Sequence, residues 1–149
     1  DLSRLVAGNA LTHFLADFGA EVVKVERPGY GDDLRNWRVD GISVHWKVYA
    51  RNKKSVTINM GTEAGRGVAK DLAAISDVIV ENFTLGVLQR WGLDYPNVKQ
   101  VNKEIIMLSL RGLGSTGPRA ADTTWGPNLT ALFGMTHLWL ELLMHQQIR

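Results

Sequence analysis

The stretch Leu5–Pro28, LVAGNALTHFLADFGAEVVKVERP, decides how the rest of the chain is read. Apolar residues at Leu11, Phe14, Leu15 and Phe18 recur at helical spacing. Gly19 follows at the position after a helix, where a left-handed backbone costs glycine little. Glu21–Glu26 (EVVKVE) is then a short β-branched strand that runs into a charged loop opening at Pro28. A helix passing into a buried strand is the middle of a βαβ unit, and such units hold ligands where strands end and helices begin.

The pattern repeats downstream. Val44–Ala50 reads as a short helix and Ser55–Asn59 as a strand. Thr62 caps a helix with Glu63 in its first turn, where the helix dipole favours an acid. That helix carries Val68, Leu72 and Ile75 on one face and ends near Ser76-Asp77. Val78–Val80 is an apolar strand of the kind buried on both faces in parallel sheets. Thr84–Arg90 and Tyr95–Asn102 are short helices, Ile105–Leu110 is a further strand, and Gly112–Gly117 is a glycine-rich loop. A helix starts near Pro127, since proline suits a first helical turn. The expected fold class is α/β, a mainly parallel sheet flanked by helices.

The 149 residues suffice for one domain with a real core. With 45% hydrophobic and 21% charged residues the composition is that of a globular protein. A net charge of +2, without a basic face or a run of stacking aromatics, argues against nucleic acid as a partner. The absence of cysteine excludes a disulfide framework and thiolate chemistry and fits a reducing compartment, the cytoplasm or an organelle matrix. The most apolar run, Leu129–Met144, contains His137 and Glu141 and falls short of the roughly 20 residues of a membrane span. A chain that opens at Asp1 without Met and closes at Arg149 without a following strand is expected to be a piece of a longer one.

Ala7-Gly8-Asn9-Ala10 sits at a strand-to-helix turn, where helix N-terminal amides suit a phosphate. A dinucleotide fingerprint starting at Gly8 would need glycine where Ala10 and His13 stand, so a nicotinamide-dependent oxidoreductase is a remote alternative. Glu26, at the end of its strand, is where such an enzyme holds a ribose, although charges at strand ends are more often simply solvated. Basic residues gather at Arg27, Arg35 and Arg38 and again at Arg51, Lys53 and Lys54, the side chains that bind phosphates. His13 lies beside the apolar stripe and is expected to pack. His137 and His145 lack partners at metal-ligand spacing, so no metal site is expected.

Taken together, DLSRLVAG, LADFGAEVVKVERPGYGDDLR, NKKSVTINM, EAGR, DVIVENFTLGVLQRWGL and GLGSTGP resemble the N-terminal part of the family III CoA-transferases. That family includes formyl-CoA transferase, the carnitine CoA-transferases and α-methylacyl-CoA racemase. The likeness runs nearly to Pro118 and then weakens. It implies a Rossmann-like CoA-binding domain without dinucleotide glycines. Residues 1–149 would be a partial N-terminal domain, with the first strand and the C-terminal part of the family fold missing. It further implies coenzyme A or acyl-CoA as substrate, a carboxylic acid as second substrate, and an interlocked homodimer at full length. By similarity, Leu5, Val6 and Arg27 line the nucleotide pocket and Ile58 flanks the adenine. Asn82, Phe83 and Arg90 would contact the pantetheine or phosphate region, and Arg111 occupies another basic position.

The resemblance also implies an aspartate nucleophile and an aspartyl-CoA intermediate. Counting from Gly117-Pro118, the usual aspartate position falls on Gly126, and Trp125 stands where the racemases place histidine. The nearest carboxylate is Asp122. Either a shortened loop with a compensating insertion makes Asp122 the nucleophile, or the chain lacks one and is a non-catalytic CoA-binding subunit. A racemase-like isomerase is the further alternative. The piece by itself is expected to be inactive.

Overall fold

The computed structural model describes residues 1–140; His145 and the remainder of the last apolar stretch lie outside the described residues. The described chain divides into two compact units that meet in sequence at Leu110 and Arg111.

In the first unit, α1 (Leu5–Asp17) leads into β1 (Val22–Glu26), and a 3₁₀ turn follows at Asp33–Asn36. Then come α2 (Val44–Tyr49), β2 (Lys53–Thr57), α3 (Glu63–Ala74), β3 (Val78–Glu81), α4 (Val87–Trp91), α5 (Tyr95–Val101) and β4 (Ile106–Ser109). β1 pairs with β2 in parallel, Val22 opposite Lys53, and β3 pairs with β4 in parallel, Val78 opposite Ile106. Asp1–Ser3 fill the slot between the two pairs. The Asp1 nitrogen donates to the Val23 carbonyl at 2.9 Å, the Val25 amide to the Asp1 carbonyl at 2.9 Å, and the Leu2 amide to the Val80 carbonyl at 2.9 Å. The layer therefore runs β2, β1, Asp1–Ser3, β3, β4. With Asp1–Ser3 in first place this is the 3-2-1-4-5 order of doubly wound folds, whose switch point lies between the first and fourth positions. The expectation of an α/β parallel sheet holds.

Two cores support this layer. The apolar one joins Ala69 and Ala73 of α3 to Ile79, Leu88, Leu93, Val98 and Ile105. Here the expected face of α3 is corrected: Val68 is 51% and Ile75 82% exposed, whereas Ala69 and Ala73 are 4% exposed. The small side chains let α3 approach closely, which bulkier ones would prevent.

The second core is polar and corrects the reading of α1. Its apolar stripe points outward, with Phe14 60% and Phe18 90% exposed, while Asn9, Thr12 and His13 are buried. The buried polar residues have partners. Lys24 is paired with Asp32 at 3.2 Å and donates to the Ser3 carbonyl. Lys53 Nζ donates to Thr12 Oγ1 at 2.7 Å and to the Asn9 carbonyl at 2.8 Å, and it lies 3.2 Å from Asp1 Oδ2. Asn9 Nδ2 donates to Asp32 Oδ2 at 2.9 Å. Burial, then the neighbouring Lys24 charge, draws the Lys53 ammonium down to about 7. His13 is buried as expected, with Nε2 3.4 Å from Asp17, although its Nδ1 has no partner.

Gly8 belongs to this contact and not to a phosphate cradle. A Cβ on Gly8 would lie 2.1 Å from the Ser3 Cβ, so glycine is what lets α1 rest on the end of the Asp1–Ser3 segment. The positive end of α1 already has an anion: Asp32 Oδ1 accepts from the Leu5 amide at 3.3 Å.

Glu26 is likewise buried, not solvated. Its carboxylate accepts Arg35 Nε at 2.7 Å, Arg35 Nη2 at 2.8 Å, the Asp32 amide at 2.9 Å and the Ser55 hydroxyl at 2.5 Å. Burial by itself would raise its pKa, but these donors together with the Arg35 charge hold it down to about 2.

In the second unit, α6 (Gly126–Leu132) follows the glycine-rich loop, with Pro127 in its first turn as expected. Helix resumes over residues 135–140 after Gly134. No described helix is long and apolar enough to cross a membrane.

Two outcomes follow for urea and pH titrations of this chain. Leu88→Ala should cost about 2–5 kcal/mol and Asn9→Ala about 1–3 kcal/mol, whereas Phe18→Ser should stay within about 0.5 kcal/mol. The opposite ranking would restore the apolar stripe as the packed face. Because Glu26 titrates lower folded than unfolded, its contribution of about 3 kcal/mol is complete above about pH 5 and is lost as pH falls toward 2. Glu26→Gln should flatten the acid limb of the stability curve.

Candidate CoA-binding site

The first unit has a cleft of about 560 Å³ at the switch point. One wall is the end of the Asp1–Ser3 segment with Arg4, another is the end of β1 with Arg27, and a third is the turn after β3 with Phe83 and Thr84. Ile58 and Met60, after β2, and Arg90 and Trp91 of α4 close it. Strand ends supply these walls because each strand stops at a turn: Asn59-Met60 after β2, and Asn82 to Gly86 after β3. Phe83 and Trp91 meet edge to face with centroids 5.0 Å apart and give the cleft a rigid apolar side.

The structure brings Arg27, Ile58, Phe83 and Arg90 to this one cleft. Leu5, Val6 and Asn82 are not among its lining residues. Leu5 and Val6 begin α1, and the strand end ahead of them, Leu2 to Arg4, lines the cleft in their place. The Asn82 amide is engaged with Arg4, accepting from its backbone amide at 2.8 Å and donating to its carbonyl at 2.7 Å. It ties the two strand ends together across the switch point. Arg4, Met60 and Trp91 escaped the sequence reading. Only the sheet order shows that Arg4 follows the central position.

The basic clusters separate sharply. Arg35 is held by Glu26, Arg51 by Asp17 at 2.7 Å, and Lys54 by Glu21 at 2.7 Å. Lys53 is buried in the polar core, and Arg38 Nε donates to the Arg35 carbonyl at 2.9 Å. Arg4 pairs with Asp33 at 2.5 Å. Among the described residues, the Arg27 and Arg90 guanidiniums meet no carboxylate. Arg27 stacks on the Tyr30 ring at 4.1 Å. Arg90 folds back over Gly86, whose φ of +88° and missing Cβ leave room for it: a Cβ there would lie 3.3 Å from Arg90 Nη1. A cleft with an apolar wall and two cations without carboxylate partners is chemically matched to a ligand that joins an aromatic or alkyl body to phosphates.

The second unit holds Asp122 and Arg111. Asp122 borders a cleft of about 580 Å³ with Thr123, Thr124 and Asn128, and its Oδ2 accepts Arg119 Nε at 2.8 Å. Gly126 is the first residue of α6, with Trp125 before it, 56% exposed. Arg111 donates to Ser115 Oγ at 2.9 Å. No cluster of three or more His, Asp or Glu able to hold a metal occurs among the described residues.

The chain is 44% identical over 138 residues to succinyl-CoA–D-citramalate CoA-transferase of Chloroflexus aurantiacus, covering 91% of this chain and 34% of that protein. It is 41% identical over 141 residues to succinyl-CoA:glutarate CoA-transferase of Mus musculus, covering 93% of this chain and 32% of that protein. The crystal structure of a CaiB/BaiF family protein from Brucella suis superposes with a TM-score of 0.83 at 38% identity, over 89% of this chain and 37% of that one. The chain thus spans about a third of the length of these relatives. The family model for CoA-transferase family III matches residues 1–142, and the chain belongs to that family.

Proposed function

We propose that this chain is the CoA-binding part of an enzyme that moves coenzyme A between an acyl-CoA thioester and a free carboxylic acid. The observation that carries the reading is the pairing pattern of the cations. Of the basic residues that line the switch-point cleft, Arg4 is paired with Asp33, while the Arg27 and Arg90 guanidiniums are left without a carboxylate. CoA presents a ribose 3′-phosphate and a pyrophosphate, anions that Arg binds in bidentate fashion. Ile58 on one side offers an apolar surface to the adenine, and Phe83 with Trp91 one to the pantetheine. The related proteins named above, which take succinyl-CoA and dicarboxylic acids by name, support an acyl-CoA and carboxylate pair as substrates.

In the chemistry we propose, Asp122 attacks the thioester carbonyl. The carbon–sulfur bond breaks, CoA leaves as thiolate, and a mixed anhydride forms. The thiolate then attacks the aspartyl carbonyl and the original acyl group leaves as carboxylate, giving an aspartyl-CoA thioester. The acceptor acid reverses both steps. A carboxylate suits the task because each exchange joins species of similar energy, and loop amides can stabilise the oxyanions. In the complete protein we expect an interlocked homodimer.

A second reading has its own support. Gly126 stands at the expected aspartate position, and Asp122 is engaged with Arg119. A CoA-binding subunit without a nucleophile accommodates both facts.

Hydroxylamine separates the two. Full-length protein mixed with acyl-CoA and hydroxylamine should yield a hydroxamate at Asp122 by mass spectrometry, absent in Asp122→Asn. CoA binding without any adduct would instead establish the non-catalytic subunit. Calorimetry tests the cleft itself: Arg27→Ala and Arg90→Ala should each weaken CoA binding by roughly tenfold to a hundredfold, and Arg51→Ala by less than about threefold. Equal losses in all three would sink the assignment.

A further inference from the structure

In dinucleotide sites, an acid at the end of the second strand of a doubly wound sheet accepts the hydroxyls of a bare ribose. Glu26 occupies that position, as the last residue of β1, and borders the switch-point cleft beside Arg27. It is not available for the task. Arg35 grips both carboxylate oxygens, at 2.7 and 2.8 Å, and the Asp32 amide and Ser55 hydroxyl take what remains. Arg35 is itself fixed. The Trp46 ring lies 3.8 Å from its guanidinium. Gly31 packs so close that a Cβ there would sit 2.7 Å from Arg35 Cδ and 2.8 Å from Glu26 Oε2.

We propose that Arg35 is a specificity-determining residue: by cancelling the Glu26 carboxylate, it turns a strand end suited to a bare ribose into one that admits a phosphorylated ribose. The inference rests on the CoA reading above and states how the same cleft tells CoA from nucleotides without a ribose phosphate. A phosphate beside an unpaired carboxylate in a partly desolvated cleft is repelled, since charge interactions grow as the effective dielectric falls. Beside a neutralised fork, the attraction of Arg27 acts unopposed. Arg35 does this without touching the ligand; it acts through Glu26.

The test compares dissociation constants for CoA and 3′-dephospho-CoA in the full-length protein by calorimetry. Arg35→Met keeps the aliphatic stem and removes the charge. It should cut the preference for CoA over 3′-dephospho-CoA by about tenfold or more. Adding Glu26→Gln to that variant should restore the preference to within about threefold, and Glu26→Gln alone should leave it equal or higher. A merely structural role would weaken both ligands together and leave the ratio unmoved. An unchanged ratio in Arg35→Met, or one not restored in the double variant, overturns the inference and leaves the CoA reading standing. Unsubstituted protein that binds both nucleotides equally overturns the inference alone, and protein that binds neither overturns the CoA reading and the inference with it. Should circular dichroism show Arg35→Met unfolded, Glu26→Gln alone decides: a lower ratio is a refutation, and an equal or higher one is support.

Discussion

The buried pair of Lys24 and Asp32 is the constraint on which the first unit turns. Both side chains are 1% exposed, and a charge that deep persists only when paired and hydrogen-bonded. Lys24 projects from β1, Asp32 from the loop after it, and each gathers further segments. Lys24 reaches the Ser3 carbonyl; Asp32 receives the Leu5 amide and the Asn9 side chain. Strand end, helix start and loop therefore converge on one ion pair. Buried pairs add little net stability, while losing one partner is costly. The consequence of this one is positional: it holds the start of α1 beside the end of β1, where the cleft opens.

The same logic sorts the cations of the whole unit. Four carboxylates of the unit each hold a base: Glu26 takes Arg35, Asp17 takes Arg51, Glu21 takes Lys54 and Asp33 takes Arg4. Two of those ion pairs are exposed on both sides and contribute little stability. Their effect is on the field, because each removes a positive charge from competition for an anion. What is left at the cleft is Arg27 on a loop and Arg90 on α4, brought to one place by the sheet order. Internal pairing and ligand binding are thus one problem seen from two sides.

In the proposed function the two units carry different parts of the chemistry. The proposed binding residues lie in the first, built on a parallel layer with an apolar and a polar core. The candidate carboxylate lies in the second, after a glycine-rich loop, in an ion pair with Arg119. Family membership supports the transfer of CoA in general, and the identity of the nucleophile is a separate question that Gly126 poses.

Much of the fold is legible in residue order. Periodicity places each long helix and strand of the first unit within a few residues, because backbone preference and turn chemistry are local: Gly19 ends α1 with a φ of +98°, and Thr62 caps α3. The departure from the dinucleotide glycines is likewise a fact of sequence alone. Orientation is not. Apolar spacing selects Phe14 and Phe18 as the inner face of α1, yet Asn9 and Thr12 turn inward because Lys53, 44 residues beyond Asn9, arrives to satisfy them. Arg27 and Arg35 look equivalent on paper, and only the placement of Glu26 decides that Arg35 is held by a carboxylate and Arg27 is not. Local backbone energetics are written residue by residue, whereas the partner of a charge is set by whatever the fold brings within a few ångströms.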